Sequence, residues 1–156
     1  MTTGLRIDPL ALHPEVLPVL QRWFELEWPS YYEAGGPGSA QQDLQAYANL
    51  DGLPYGMVSF RDGSLCGVAA LKAESIASHA HLSPWAAAGV VRRDLRGQGI
   101  GEQLVLALER RAETMGFDRI YCGTSTAERL LQRIGWRLLE RVEHDGELLS
   151  IYEKAL

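Results

Sequence analysis

The sequence predicts one mixed α/β domain of about seven strands and four helices. Apolar residues alternate or run continuously in seven short segments, and they recur at helical spacing in four others. Asp62-Gly63 and Asp145-Gly146 each lie between apolar runs, where two-residue hairpins form. At 156 residues the chain suits a single domain, 1–156, with a sizeable core.

Leu5-Arg6-Ile7 makes a short first strand, stopped by Asp8-Pro9. Pro14 opens a helix reaching Trp28, with Val16, Leu20, Trp23, Phe24 and Glu27 at helical spacing. From Tyr31 to Ser39, four residues of Gly and Pro predict a flexible loop. Ser39 and Gln42 form a capping-box pattern for a second helix through Asn49. Tyr55–Phe60 and Leu65–Leu71 are the arms of the hairpin at Asp62-Gly63. Trp85–Val91 is apolar throughout, as expected of a central strand covered on both faces.

Leu104, Val105, Leu108, Ala112 and Met115 then mark a long helix that Gly116 stops. Phe117–Gly123 reads as a strand and Ala127–Ile134 as a short helix ended by Gly135. Trp136–Val142 and Leu148–Tyr152 form the last hairpin, which either closes the sheet or pairs across a homodimer.

The net charge of −5 gives no reason to expect nucleic acid and favours small cationic partners mildly. Residues 1–10 lack the apolar core of a signal peptide, and no run reaches the length of a membrane span; the expected compartment is the cytoplasm, with no membrane partner. Cys66 and Cys122 have neither metal-ligand nor redox spacing and read as buried, reduced thiols.

Arg96-Gly97-Gln98-Gly99-Ile100-Gly101 joins the apolar strand to the long helix. Glycines let backbone approach an anion, and the free N–H groups of a first helical turn supply positive potential. The dinucleotide spacing fails, because Glu102 or Leu104 stands where a third glycine belongs; the P-loop pattern is absent. What remains is R-x-x-G-x-G, which binds phosphate or makes a tight strand-to-helix turn.

The run from Val91 through Gly101 resembles the strand-and-pyrophosphate-loop motif of the GNAT superfamily of acyl-CoA N-acyltransferases. Ala127 followed by Gly135-Trp136 resembles that family's short helix and its Gly-aromatic end, and Ser83-Pro84-Trp85 resembles a branch with aminoglycoside-type and other small-molecule acetyltransferases. The resemblance implies a mostly antiparallel sheet splayed between its fourth and fifth strands, with acetyl-CoA as cofactor. Its pantetheine arm would pair near Gly89, Val90 and Val91, and its pyrophosphate would lie on Arg96, Gly97, Gln98, Gly99, Ile100 and Gly101. Thr124, where the family often carries asparagine, joins the cofactor contacts. Ala86, Ala87, Ala88 and Gly89 leave room for a thin arm or pack closely against a helix. The Val91 N–H would polarise the thioester carbonyl, and an amine would attack directly.

The family commonly places a tyrosine acid where this chain has Leu131. Ser125 and Thr126 either order a water that replaces it or cap the following helix. For the general base the candidates are Glu74, His79 and His81, in the connection that borders the acceptor cleft in the family, with Glu74 and His81 carried forward. His79 and His81 have no third ligand in view, so no metal is expected. Trp28, Tyr31 and Tyr32 are the expected substrate-binding aromatics, and Glu25, Glu27 and Glu33 either attract a polyamine or form a solvated face. The resulting expectation is an acetyl-CoA-dependent N-acetyltransferase acting on a primary amine of a small molecule. Its alternatives are a non-catalytic acyl-CoA-binding module and a nucleotide binder with no preference for CoA.

Overall fold

Prolines set where the N-terminal helices begin and end. In the computed structural model, which describes residues 4–156, helix α1 spans Leu17–Glu27 rather than starting at Pro14. Pro18 lacks an N–H and is accommodated only in a first helical turn, so Pro14–Val16 forms a separate 3-10 turn ahead of it. Pro29 likewise pushes Trp28 out of helical backbone, to φ −129° and ψ 63°, and a new short helix α2 (Pro29–Tyr32) follows. It occupies the start of the segment expected as loop and raises the α-helices among the described residues to five. Ser39 caps α3 (Ala40–Tyr47), its Oγ accepting the Gln42 N–H at 3.2 Å. Residues 1–3, the start of the segment considered above as a signal peptide, lie outside the described residues.

The seven strands are β1 (Leu5–Pro9), β2 (Tyr55–Arg61), β3 (Ser64–Lys72), β4 (Trp85–Val91), β5 (Arg119–Thr124), β6 (Arg137–His144) and β7 (Glu147–Ala155). They form one sheet in the order β1-β2-β3-β4-β5-β7-β6, antiparallel except between β4 and β5. β1 runs on through Pro9, which an edge strand tolerates because it needs no further donor.

Both faces of the sheet are buried at its central strands. Residues Val68 to Leu71 alternate between two cores: Ala69 and Leu71 pack under α4 (Ile100–Thr114) with Leu104, Leu108 and Ala112, while Val68 and Ala70 meet Leu20, Phe24 and Leu44 of α1 and α3. Each such large side chain stabilises the fold by about 1.5–3 kcal/mol. A smaller cluster of Ile76, Trp85, Tyr121 and Ile151 supports the other half of the sheet beneath the β3–β4 connection.

One break in this sheet positions the site. β4 and β5 share a single registered pair, Trp85 with Tyr121, whose N–H also bonds the Pro84 carbonyl at 3.0 Å. Beyond it the strands part. On its other side β4 carries a bulge: Val68 pairs with Val90 and Ala70 with Ala87, leaving Ala88 and Gly89 opposite Ala69 alone. Ala88 takes a left-handed φ of 56° to make that turn, and the bulge bends the strand away from its neighbour.

Candidate functional site

A cleft of about 810 Å³ opens where β4 leaves β5. Ala86 to Val91 form one wall and Cys122 to Ala127 the other; the start of α4, with Leu130 and Leu131 of α5 (Glu128–Arg133), makes the floor. Glu27 and Trp28 line it from the end of α1.

The strand edge facing the cleft is chemically defined. Arg92 donates its N–H back to Cys66 of β3 at 2.9 Å. Successive residues of a strand point their polar groups to opposite sides, so the N–H and C=O of Val91 face the open edge. Arg96 Nε takes that carbonyl at 2.9 Å. The Val91 N–H has no β5 partner within the ladder.

The glycine loop ends this wall. Gly97 and Gly99 have φ of 81° and 85°, and a Cβ on either would meet nothing within 4 Å. Backbone conformation, not crowding, therefore requires glycine there, and the loop presents an open face. Gly99 is the N-cap of α4 and Gln103 is the first residue to bond back to it, at 3.1 Å, so the N–H groups of Ile100, Gly101 and Glu102 have no acceptor inside the helix. The long side chains of the loop are tied to distant segments. Arg96 donates to Glu27 at 3.3 Å, and the Gln98 side chain accepts from Arg61 and does not line the cleft.

On the opposite wall, Thr124 Oγ1 accepts the N–H groups of Thr126 at 3.1 Å and Ala127 at 2.8 Å. Thr124 rather than Ser125 or Thr126 thus caps the turn into α5. Leu131 is buried and aliphatic on the cleft floor. Of the two cysteines expected as buried thiols, Cys66 is buried and Cys122 is half-buried on the cleft wall, where desolvation by its neighbours pushes the thiol up to about 12 and keeps it protonated at neutral pH.

The residues expected at the acceptor end are divided. Trp28 lines the cleft; Tyr31 and Tyr32 do not. The short helix turns Tyr32 onto Phe24, 5.9 Å between ring centres, and its hydroxyl donates to Asp43 at 2.8 Å. Burial, then that carboxylate, raises its phenol well above the ordinary range. Tyr31 covers Gly38, where a Cβ would come within 2.0 Å of the ring. Glu74, His79 and His81 also lie outside the lining. His79 is held by Glu140 of β6 at Nε2 and by Ser78 Oγ at 2.7 Å from Nδ1, with His81 stacked on it at 5.9 Å. Glu147 and Leu149, from the start of β7, do line the cleft. Nothing in the sequence marked them, because the hairpin's return brings them there. Among the described residues, no three His, Cys, Asp or Glu side chains are grouped to hold a metal, and no helix is long and apolar enough to cross a membrane.

A sheet split beside a glycine loop that heads a long helix is the architecture of acyl-CoA-dependent transferases. The chain belongs to the acetyltransferase (GNAT) family, whose model matches residues 20–136. Among solved structures, an aminoglycoside 6'-N-acetyltransferase complexed with coenzyme A is similar to it at a TM-score of 0.77 and 14% identity, over 96% of each chain. A putative acetyltransferase from Salmonella typhimurium with its cofactor acetyl-CoA gives 0.76 and 14% over 98% of this chain and 94% of its own. A GCN5-related N-acetyltransferase from Kribbella flavida gives 0.73 and 19% over 98% of each. No curated protein matches the sequence. The cofactor of the family, acetyl-CoA, is the cofactor of this chain.

Proposed function

We propose that the protein is an N-acetyltransferase that moves the acetyl group of acetyl-CoA directly to a primary amine of a small molecule in the cytoplasm, without nucleic acid or membrane as partner. The observation that carries this reading is the cleft between β4 and β5, lined by the glycine loop and, from the end of α1, by Glu27 and Trp28. The free N–H groups of Ile100, Gly101 and Glu102, an open face over Gly97 and Gly99, and a β4 edge at Gly89 to Val91 that β5 does not pair fit a pyrophosphate followed by an extended arm. Acetyl-CoA supplies the acyl group as an activated thioester.

Val91 supplies a main-chain N–H aimed into the cleft, the donor for charge developing on the carbonyl oxygen. Trp28 and the acidic lining orient the amine. The amine must lose a proton, to a base in direct reach or through one water. Glu147 lines the cleft, whereas Glu74 and His81 do not, so it takes precedence over them as the group to remove that proton. With Leu131 in place of a phenol, the departing thiolate takes its proton from water; the hydroxyls of Ser125 and Thr126 line the cleft and order that water.

Buried Leu131 also favours a second reading, a module that binds acyl-CoA without turnover. Mixing the protein with acetyl-CoA and a panel of small primary amines, and following free thiol, separates the two. Amine-dependent thiol release with formation of the N-acetyl product is expected. Tight CoA binding with no release above the hydrolysis background, across the panel, overturns the catalytic reading.

A further inference from the structure

Arg96 belongs to the glycine loop and would be expected to hold phosphate itself. Its contacts point elsewhere. Nε is committed to the Val91 carbonyl at 2.9 Å and the second guanidinium nitrogen to Glu27 Oε2 at 3.3 Å. Both residues line the cleft, and Glu27 reaches the loop from the end of α1, next to Trp28.

The charges around the loop repeat this arrangement. Glu102, in the first turn of α4, also lines the cleft and is closed by Arg133 at 3.3 Å. Two carboxylates thus stand beside an anion site, and each carries its own arginine. Unmasked, either would repel a pyrophosphate a few ångströms away, while the donors that grip it remain the N–H groups of the loop and helix start.

We infer that Arg96 serves CoA binding by neutralising Glu27, a carboxylate kept on the cleft wall for the acceptor amine, rather than by holding phosphate. The role given to Glu27 rests on the amine-acceptor reading above; the masking by Arg96 does not. The pair sits between two sites of opposite charge. It lets an anionic cofactor and a cationic amine occupy one cleft, and Arg96 is a positioning residue for the first through its hold on the second's carboxylate.

Calorimetric titration of the full chain with coenzyme A, over four proteins, tests the masking. Arg96→Gln should weaken binding by about tenfold, since it leaves Glu27 uncompensated. Glu27→Gln placed in the same chain should restore affinity to within about threefold of the original protein. If the double variant binds as weakly as Arg96→Gln, the guanidinium grips phosphate directly and the inference fails. Arg96→Lys keeps charge without the paired geometry, and it should retain affinity, whereas a loss equal to that of Arg96→Gln overturns charge masking. Unchanged far-ultraviolet dichroism and melting temperature establish that each variant is folded; Glu27→Ala replaces Glu27→Gln if the latter is not. The acceptor role is read separately, from turnover with whichever amine the thiol assay yields. Glu27→Gln should raise its KM and leave CoA affinity intact. An unchanged KM removes that role from Glu27 and leaves the masking result standing.

Discussion

Trp136 donates its indole N–H to Oε2 of Glu109 at 3.0 Å. Lys154 meets the other carboxylate oxygen at 2.8 Å and also bonds the Ile134 carbonyl at 2.7 Å. A glutamate only 8% exposed is tolerated in this core because both of its carboxylate oxygens are taken. The contact ties the Gly-Trp end of α5 and the last strand to the middle of α4, the helix that carries the glycine loop.

Removing that carboxylate leaves the Trp136 indole N–H without a partner and the Lys154 ammonium without its counter-ion, held by the Ile134 carbonyl alone. Glu109→Ala should destabilise the protein by about 1–3 kcal/mol in urea unfolding, because a buried indole N–H is left without a partner and a partly buried ammonium without its counter-ion. Glu109→Leu with Lys154→Met should recover a large part of it. A single variant within about 0.5 kcal/mol of the original would show the cluster to be incidental.

The bulge makes a prediction about Ala88. Its left-handed φ of 56° is disfavoured for any side chain and more so for a β-branched one. Ala88→Val should lower stability by about 1–2 kcal/mol, and Ala88→Gly should not, by thermal melting. Equal tolerance of both would mean that β4 is regular there.

Gly99 also needs its left-handed backbone, at the head of α4. Gly99→Val should weaken coenzyme A binding by about tenfold or more as the first-turn N–H groups are turned away. Gly101 is the control. A Cβ there would lie 3.4 Å from Leu130, an ordinary contact, and Gly101→Ala should bind nearly as the original does.

Cys122 lines the cleft, yet its thiol is held up to about 12 by burial. Iodoacetamide at pH 8 should leave it unmodified by mass spectrometry, because the thiolate is the reacting species. Rapid alkylation at that pH would contradict its desolvated setting.

Acid should expose the role of Glu128. The Ser150 and Tyr152 hydroxyls and then Arg141 hold its carboxyl below the usual range. A carboxyl whose pKa is lower folded than unfolded contributes stability above the unfolded value, and that contribution is lost as pH falls through the folded value. The stability gap between the original protein and Glu128→Gln should therefore shrink on acidification from neutral pH to pH 3. A gap that is constant with pH would assign the difference to shape alone.

Much of the fold was readable from local chemistry. The two Asp-Gly turns, the Ser39 cap and the long helix after Gly99 each depend on a few adjacent residues. The start of α1 required weighing Pro18 against Pro14, and both are in the sequence. The bulge at Ala88 was not readable, since it exists only as a mismatch with Ala69 on another strand. The same holds at the site. The glycine loop is contiguous and announced itself, whereas Glu147 arrives through a hairpin and His79 is claimed by Glu140, 61 residues away. Tyr32 stood in the expected segment but was turned aside by a helix that Pro29 starts.

The single registered pair between β4 and β5 has a bearing on solubility as well as on the cleft. A sheet normally leaves its unpaired hydrogen-bonding groups on its outer rims, where another chain can zip onto them and seed aggregates. Here a stretch of such backbone lies on the inside of the molecule, walled by α4 and α5 and by the end of α1. The fold thereby keeps adhesive backbone in use while withholding it from its neighbours in a crowded solution.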